Sequence, residues 1–297
     1  MIYTLTLNPA VDYILRLPAI TEGATNRATS ASVRFGGKGI NVSLVLRELG
    51  VETTALGFSA GFTGEALEEE LKRLGVLTDF VRLPDGMTRI NVKLGTNAAE
   101  TEINAPGPAV SPEALEALLA KLDGLTAADT LVLAGSVPPS LPRDLYARIL
   151  KRLDGRGIRF VVDTEGEALT ATLPFRPFLI KPNRAELEAL VGHSLPSEDA
   201  LRSAAFSLCE AGARNVLISL GGDGALLLDE YGDFHAAPAA TIHPVSTVGA
   251  GDSMVAGFLA GVSRGYDYAL KLGIAAGGAT AAVEGVATRE DILGLLP

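Results

Sequence analysis

A glycine-rich turn near the carboxyl terminus combines small residues with a carboxylate, in the order Gly249-Ala250-Gly251-Asp252. An apolar stretch with helical spacing follows, so the turn should form the start of a helix. Small residues let the backbone approach a ligand, and the unpaired N–H groups of a first helical turn attract anions. Asp252 could accept a proton there, which is the chemistry that phosphoryl transfer needs. The alternative is a tight turn in which Asp252 only caps the helix.

A second glycine cluster, Gly36-Gly37-Lys38-Gly39, precedes a predicted helix over about 39–49. It is not a P-loop, because Lys38 is followed by glycine and not by the Ser or Thr that would hold a metal. It is not the dinucleotide fingerprint either, because Val42 stands where the third glycine belongs. A backbone approach site with one cation suits a phosphate or a sugar, and Asn41 could bind hydroxyl groups. The alternative is close packing between a strand and a helix.

Three further side chains could bind a sugar phosphate. Asp12 follows the first predicted strand, at the end of the sheet where ligands of α/β proteins gather. Its carboxylate could accept hydrogen bonds from sugar hydroxyls. The segment 89–94 alternates polar and apolar residues, which predicts a strand with Arg89, Asn91 and Lys93 on one face. Arg89 and Lys93 could pair with a phosphate, although charges of this kind also protect the edge of a sheet.

Two loops could hold a nucleotide and its metal ion. Asn183 and Glu186 follow a predicted strand and lie three residues apart at the start of a helix, so they share a helix face. An amide and a carboxylate could hold Mg²⁺ through waters, or they could simply cap the helix. The loop 219–224 is rich in glycine, and a nucleotide could lie against its backbone. A β-turn between two strands is the alternative there.

The composition restricts the class of partner. The chain has 297 residues, a net charge of −10 and a single cysteine, Cys209. The acidic balance argues against a nucleic-acid partner, and it requires any anionic substrate to meet a local basic pocket. One cysteine excludes an internal disulfide framework and suits a reducing compartment such as the cytoplasm. We expect no signal peptide and no membrane span, because no apolar run reaches the ~18 residues that a span needs.

Strands and helices alternate along most of the chain. The segments Leu131-Val132-Leu133 and Phe160-Val161-Val162 are apolar throughout, as in a parallel sheet that helices cover on both faces. We therefore predict one α/β domain over 1–297, with a doubly wound, mostly parallel sheet flanked by helices. Early strands that break the alternation predict a small lid of β-strands, inserted at about 10–35 and 87–106.

Taken together, these motifs resemble the ribokinase-like (PfkB) family of carbohydrate kinases. The similarity follows the whole chain in order, over 6–12, 36–42, 134–139, 162–164, 181–186, 219–221 and 248–252. The resemblance implies the ribokinase-like fold, with ATP and Mg²⁺ as cofactors. It also implies that the lid closes over the sugar and often forms a dimer contact, so a homodimer through the lid is an expectation.

The resemblance implies a role for each matched residue. Asp252 would be the catalytic base, and the N–H groups of Gly249, Ala250 and Gly251 would form the anion hole. The other residues would serve the two substrates and the metal. The sugar and its phosphate would be bound by Asp12, Gly37, Lys38, Asn41, Arg89, Arg27, Lys93, Asn104 and Ser136. ATP would face Lys181, Asn183, Ser219, Gly221, Gly222 and Gly224, and Mg²⁺ would be organised by Asn183 and Glu186.

Within the family, the segments 36–41, 88–94 and 246–257 look most like those of kinases that act on fructose 1-phosphate. The resemblance therefore implies ATP-dependent phosphorylation of fructose 1-phosphate to fructose 1,6-bisphosphate. A tagatose-6-phosphate kinase and a 6-phosphofructokinase of the same family are alternatives, because one pocket could serve either substrate. A sugar-phosphate sensor without catalysis is an alternative of another class, which Asp252 and its glycines argue against. A nicotinamide-dependent dehydrogenase is disfavoured by the missing fingerprint.

Overall fold

The computed structural model describes residues 1–96 and 99–297. Residues 97 and 98, inside the second predicted insertion, lie outside the described part. The strands of the described chain are β1 (Ile2–Thr6), β2 (Ala10–Arg16), β3 (Ser30–Gly36), β4 (Thr53–Ala60), β5 (Leu77–Thr78), β6 (Val81–Leu83), β7 (Arg89–Gly95), β8 (Glu100–Ile103), β9 (Thr130–Ala134), β10 (Arg159–Asp163), β11 (Leu179–Ile180), β12 (Val216–Ser219), β13 (Ala225–Leu228) and β14 (Phe234–Ala237).

The α-helices of the described chain are α1 (Lys38–Glu48), α2 (Gly61–Arg73), α3 (Pro112–Leu122), α4 (Leu145–Leu153), α5 (Gly166–Thr170), α6 (Arg184–Val191), α7 (Glu198–Glu210), α8 (Ala250–Gly261), α9 (Tyr266–Ala282) and α10 (Arg289–Gly294). In the ranges 1–96 and 99–297, no helix is long and apolar enough to span a membrane.

The main sheet contains ten strands of the described chain, in the order β14-β13-β12-β11-β10-β9-β1-β4-β5, with β6 also paired to β4. The strands from β12 to β5 run parallel, whereas β13 and β14 form an antiparallel edge. This arrangement confirms the predicted doubly wound, mostly parallel sheet. Because parallel strands end at one edge of a sheet, the residues that follow β1, β10, β11 and β12 lie along the same edge.

Helices cover both faces of the main sheet, and side chains of each strand pack alternately toward the two faces. On β9, Leu131 and Leu133 belong to the apolar cluster that includes α3, α4, α6 and α7, whereas Val132 packs with α1, α8, α9 and α10. All three side chains are fully buried. Burial on both faces explains why the strand is apolar at every position.

A separate four-stranded sheet has the order β3-β2-β7-β8, with β2 parallel to β7 and the outer pairs antiparallel. Its register places polar residues in one cross-strand row and apolar residues in the next. The rows are Arg34–Asp12–Asn91 and Val33–Tyr13–Val92–Ile103. Because neighbouring residues of a strand point to opposite faces, one face of this sheet is polar where the other is apolar.

Two details of the fold differ from the sequence prediction. The sequence pattern predicts a helix over 142–153, whereas α4 begins only at Leu145, because the N–H of Leu145 donates to the C=O of Pro142 and closes a turn ahead of α4. The strands β5 and β6 have no predicted counterpart. They contain two and three residues, which is too short for a periodic pattern to be visible.

Candidate active site

The start of α8 carries the predicted base and its glycines. Gly249 is the N-cap of this helix and has a φ of 82°, a left-handed conformation that suits glycine. The N–H of Ala250 donates to the C=O of Thr247 over 3.3 Å. Among the described residues, the N–H groups of Gly249 and Gly251 have no acceptor, as first-turn geometry leads one to expect. Two of the three predicted anion-hole donors can therefore bind an anion directly, and the third is held by a long hydrogen bond.

Asp252 is buried, and its Oδ2 accepts a hydrogen bond from Nδ2 of Asn41 over 2.8 Å. Burial raises the pKa of Asp252 to about 6, and the negative charge of Asp163 adds to this effect. The hydrogen bond from Asn41 and the charges of Lys38 and Lys181 act in the opposite direction. A carboxylate with this pKa is ionised at neutral pH and can still accept a proton from an alcohol in a transition state.

Asp163 joins two of the predicted binding residues. It is the last residue of β10, and its Oδ1 lies 3.3 Å from Nζ of Lys38 and 3.5 Å from Nζ of Lys181. Burial acts to raise the pKa of Asp163, but the charges of Lys181 and Lys38 outweigh burial and lower it. Oδ2 of Asp163 is buried and has no hydrogen-bond partner within the described part of the chain. One carboxylate therefore holds two cations beside Asp252.

The position of Lys38 differs from the role that the sequence analysis gave it. Burial lowers the pKa of Lys38, but the carboxylates of Asp163, Asp252 and Glu186 outweigh burial and raise it. Its partners thus lie on the side of Asp252 and the predicted ATP residues, and not beside Arg89. A Cβ added to Gly251 would stand 3.0 Å from Nζ of Lys181, so that ammonium group lies against the glycine turn.

The glycines at the start of α1 are required by packing. A Cβ on Gly37 would meet Cγ2 of Thr6 at 2.6 Å, and a Cβ on Gly39 would meet Oγ1 of the same threonine at 2.6 Å. Oγ1 of Thr6 also accepts the N–H of Ile40 over 3.1 Å. Close packing of α1 on β1, which the sequence left as an alternative, therefore accounts for both glycines. The same packing fixes the helix start from which Lys38 and Asn41 reach the two buried carboxylates.

Asp12 lies on the polar face of the four-stranded sheet, and both oxygens of its carboxylate have partners. Oδ1 accepts a hydrogen bond from Nδ2 of Asn91 over 2.9 Å, and Oδ2 lies 3.4 Å from Nζ of Lys93. Lys93 is also 3.4 Å from Oε1 of Glu102, so two carboxylates share its charge. Lys93 is therefore paired within the four-stranded sheet, whereas the sequence analysis offered it as a cation for a phosphate.

Arg89 is a half-buried cation with an unused donor. Its Nη1 donates to the C=O of Ala105 over 3.2 Å, while its buried Nε has no hydrogen-bond partner among residues 1–96 and 99–297. Burial lowers the pKa of Arg89, and the charge of Asp12 opposes that shift. A guanidinium with an unpaired N–H in a partly desolvated position is suited to bind a phosphate.

A cavity of about 340 Å³ lies between the four-stranded sheet and the body of the protein. Asp12, Asn41 and Gly249 line it. At its edge, Nη2 of Arg34 donates to Oε2 of Glu284 over 3.1 Å, which links β3 to the loop after α9. Asn41 contacts both the cavity and Asp252, so a ligand in the cavity would have one end close to the candidate base. The volume is within the range of pockets for small molecules.

The glycines of the loop after β12 fit both interpretations, a tight turn and a backbone surface for a nucleotide. Gly224 has a φ of 97°, and a Cβ there would meet the N–H nitrogen of Ala239 at 2.8 Å, so a tight turn requires this glycine. Gly221 and Gly222 have open space around them, where a flat ligand could approach the backbone. Ser219 pairs with Asn183 through a β-bridge, so the loop lies beside the end of β11 and Lys181.

Asn183 and Glu186 form a capping box at the start of α6. Oδ1 of Asn183 accepts the N–H of Glu186 over 2.8 Å, and Oε2 of Glu186 accepts the N–H of Asn183 over 2.9 Å. Oε1 of Glu186 has no hydrogen bond to the described residues, and the carboxylate raises the pKa of Lys38, so it faces the same space as Asp163. An oxygen donor that keeps one free oxygen fits Mg²⁺, which binds few carboxylates together with waters and phosphates.

Three predicted sugar-binding residues make no hydrogen bond with the cluster of polar residues around Asp12, Asp163 and Asp252. Arg27, Asn104 and Ser136 are exposed, and their side chains make no hydrogen bond with another residue of the described chain. Two residues of the cluster, Asp163 and Asn91, had no assigned role in the sequence analysis. In the sequence, Asp163 was visible as a carboxylate after an apolar strand and as part of the matched segment 162–164, and Asn91 was visible as the residue between Arg89 and Lys93.

The arrangement of a glycine turn, a buried carboxylate and paired cations at the edge of a parallel sheet defines a class of phosphotransferase. In agreement with it, the family described as pfkB family carbohydrate kinase matches residues 5–292, so the chain belongs to the pfkB family of carbohydrate kinases. The resemblance inferred from the sequence motifs is thereby confirmed.

Individual relatives match over nearly their full length. The chain is 44% identical to the 1-phosphofructokinase of Bacillus subtilis (strain 168), covering 100% of this chain and 98% of that protein. It is 35% identical to the D-tagatose-1-phosphate kinase of Bacillus licheniformis, over 96% of this chain and 94% of the relative. Among solved structures, phosphofructokinase-2 from Escherichia coli in complex with substrates and products has a TM-score of 0.94 and 32% identity, covering 99% of this chain and 98% of that one.

Proposed function

We propose that this carbohydrate kinase transfers the γ-phosphoryl group of ATP to the 6-hydroxyl of fructose 1-phosphate, giving ADP and fructose 1,6-bisphosphate. The observation that carries the proposal is the buried Asp252 carboxylate, which lies in the first turn of α8 beside glycine N–H groups without acceptors. The whole-length similarity to a 1-phosphofructokinase supports the choice of sugar phosphate.

Asp252 removes the proton in the proposed reaction. As the sugar oxygen bonds to the γ-phosphorus and the bond to the leaving oxygen of ADP breaks, the hydroxyl proton moves to the carboxylate of Asp252. The N–H groups of Gly249 and Gly251 face the negative charge on the transferred group. Asn41 orients the carboxylate through its 2.8 Å hydrogen bond.

Lys38 and Lys181 supply positive charge on the nucleotide side of Asp252. Their shared partner, Asp163, holds both ammonium groups at 3.3 and 3.5 Å, so the two cations are positioned before a substrate binds. We assign Lys38 to the transferred phosphoryl group because of this pairing. Asn183 and Glu186 would hold Mg²⁺, which neutralises charge on the phosphates of ATP when it is bound.

Asp12 and Arg89 bind the sugar phosphate in this proposal. The carboxylate of Asp12 accepts hydrogen bonds from sugar hydroxyls, and the half-buried guanidinium of Arg89, which Ala105 holds through Nη1, pairs with the phosphate that the substrate already carries. The proposed face for ATP is formed by Lys181, Ser219 and Gly224 together with Gly221 and Gly222. The last two glycines have open space around them.

A panel of phosphorylated ketohexoses tests the proposed function. We expect kcat/KM with ATP to be highest for fructose 1-phosphate, and at least about tenfold lower for fructose 6-phosphate and tagatose 6-phosphate. Tagatose 1-phosphate belongs in the panel because a relative at 35% identity is a D-tagatose-1-phosphate kinase. If kcat/KM is higher for one of the other three sugar phosphates, that sugar phosphate would replace fructose 1-phosphate as the proposed substrate. Absence of ATP consumption with all four would favour the non-catalytic sensor.

We further propose a homodimer through the four-stranded sheet. The apolar row on its outer face leaves Tyr13, Val33 and Ile103 exposed by 39, 52 and 58%, which is unusual for three apolar residues in one row of a sheet. Light scattering after size-exclusion chromatography should give twice the mass of one chain. Val33→Lys should halve that mass, and a wild-type monomer would contradict the proposal. A cytoplasmic location stays a prediction, which cell fractionation would test.

A further inference from the structure

Asn91 has no role in the proposed mechanism, yet its side chain is buried and uses both ends of its amide. It is 6% exposed, on the polar face of β7 between Arg89 and Lys93. Its Nδ2 donates to Oδ1 of Asp12 over 2.9 Å, and its Oδ1 accepts the N–H of Ala105 over 3.2 Å. An amide can donate to a carboxylate through its nitrogen and accept from a backbone N–H through its oxygen at the same time.

The hydrogen bonds continue from Ala105 to the phosphate-binding end of the site. The C=O of Ala105 accepts Nη1 of Arg89 over 3.2 Å. Asp12, Asn91, Ala105 and Arg89 therefore form one chain of hydrogen bonds. That chain connects the carboxylate proposed for the sugar hydroxyls with the guanidinium proposed for the phosphate. The separation of the two groups is thus determined by Asn91 and by a fixed segment of backbone.

We propose that Asn91 is a specificity-determining positioning residue, which sets the orientation of Asp12 relative to Arg89 and so selects among phosphorylated ketohexoses. This inference rests on the proposed function, because it takes Asp12 and Arg89 as the two ends of the sugar site. The isomers of such a substrate differ in where hydroxyl groups stand relative to the phosphate. A site with a fixed spacing between its two polar ends distinguishes them, because a misplaced hydroxyl leaves a buried polar group unpaired.

The local charges explain why the orientation of Asp12 needs Asn91. Lys93 lies 3.4 Å from Oδ2 of Asp12 and attracts the carboxylate toward Glu102, its second partner. Asn91 holds the other oxygen, Oδ1, from the neighbouring strand position, where the register pairs Asp12 with Asn91. Without that donor, the carboxylate can rotate about its last torsion angle and place both oxygens toward Lys93. The remaining acceptor directions would then no longer match the sugar.

Two substitutions remove the hydrogen bond in different ways. Asn91→Leu keeps a similar volume without polar atoms, and Asn91→Asp keeps the shape and the acceptor for Ala105 but repels Asp12. We expect both to raise KM for fructose 1-phosphate at least about tenfold and to leave KM for ATP within about twofold. The ratio of kcat/KM for fructose 1-phosphate to that for fructose 6-phosphate should fall about tenfold. Arg73→Ala, at an exposed arginine of α2 that is paired with Glu70, is the control and should change neither quantity.

A double-mutant cycle separates positioning from a structural role. In an Asp12→Ala background, Asn91→Leu should have less than about a twofold further effect on KM for fructose 1-phosphate, since its partner is already absent. Equal effects in both backgrounds, or equal increases in KM for both substrates, would overturn the proposal. Thermal unfolding of each variant shows whether it folds, and if Asn91→Leu does not, the same cycle with Asn91→Asp decides.

The wild-type reaction keeps this proposal distinguishable from the proposed function. If the wild type does not turn over fructose 1-phosphate, the proposed function fails. The cycle is then measured with the ketohexose phosphate that the wild type uses most efficiently. Coupling between Asn91 and Asp12 on that substrate would support the positioning role, and independent effects would overturn it.

Discussion

Asn41, one turn into α1, donates a hydrogen bond over 2.8 Å to Asp252, in the first turn of α8, so the two helix starts meet at the candidate base. The hydrogen bond favours the ionised form of Asp252, while burial and the charge of Asp163 favour the neutral form and raise its pKa to about 6. The pKa of the base is therefore adjusted by Asn41 of α1 and Asp163 of β10, both of which are distant from Asp252 in the sequence.

The activity should depend on pH through Asp252. Because the carboxylate works as a base only when ionised, kcat/KM, which reports the protein without substrate, should fall as the pH drops below about 6. Asn41→Leu removes the hydrogen bond that lowers the pKa, so the acid limb should move to higher pH. Asp163→Asn removes a charge that raises the pKa, so the limb should move to lower pH.

These shifts are measured as kcat/KM for fructose 1-phosphate between about pH 5 and 9. Comparison with the wild type removes the effect of titrating phosphates on the substrates, which is common to all three proteins. Limbs that move in the same direction, or that coincide with the wild-type limb, would show that Asp252 is not the group that titrates.

Asp252 should also make the folded protein less stable at high pH. Its folded pKa of about 6 lies above the ordinary value of 3.8, so its stabilising contribution is complete below the ordinary value and is lost as the pH rises through 6. Asp252→Asn should therefore raise the free energy of unfolding by about 1 to 3 kcal/mol at pH 8, and by about half as much at pH 5. Urea unfolding at the two pH values measures this difference. Asp291→Asn, at an exposed capping residue, should give no increase, and a similar gain there would contradict the assignment.

Arg89 should affect the sugar phosphate and not the nucleotide. Arg89→Ala removes the unpaired donor, so KM for fructose 1-phosphate should rise at least about tenfold while KM for ATP stays within about twofold. Arg89→Lys should be intermediate, because lysine keeps the charge but loses the planar fork. Arg73→Ala, at an exposed arginine paired with Glu70, is the control and should leave both constants unchanged. Equal increases in both KM values would contradict the assignment of Arg89 to the sugar-phosphate site.

Gly249 should be required for turnover beyond its effect on stability. Gly249→Ala and Gly192→Ala introduce similar strain, because the two residues have φ values of 82° and 79°. Each should lose about 1 kcal/mol of unfolding free energy. Only Gly249→Ala, which disturbs the N–H groups beside Asp252, should also lower kcat, by about tenfold or more. Similar kcat values for the two variants would show that the Gly249 turn is structural only.

The sequence was sufficient to predict the mostly parallel sheet and the glycine-rich helix starts at its edge. Apolar strands, glycines at helix starts and the carboxylate of Asp252 leave local patterns that need no knowledge of distant contacts. The family resemblance grouped Lys38 with Arg89 at the phosphate of the sugar. In the structure, the partner of Lys38 is Asp163, which is 125 residues away along the chain.

The contacts that define the site could not be predicted from the sequence, because they join residues of different elements. Asp163 was visible as a carboxylate after an apolar strand and within the matched segment 162–164, but its two lysines are brought to it by the start of α1 and the end of β11. Lys93 lies in a segment that alternates polar and apolar residues, which placed it beside Arg89 as a candidate phosphate ligand. The register of β2 and β7 instead gives Lys93 Asp12 as a partner. A local sequence pattern cannot reveal which anion a cation will meet, a carboxylate of the protein or a phosphate of the substrate.

Turnover of the Asp252→Asn variant with ATP and fructose 1-phosphate tests the central claim directly. The substitution keeps the shape of the side chain and an acceptor for Asn41, but it removes the group that takes the proton. We predict that kcat falls at least ~10²-fold, while the affinity for fructose 1-phosphate measured by calorimetry stays within about threefold of the wild type. A variant that binds the sugar phosphate and turns it over at a near-normal rate would contradict the role of Asp252 as the base.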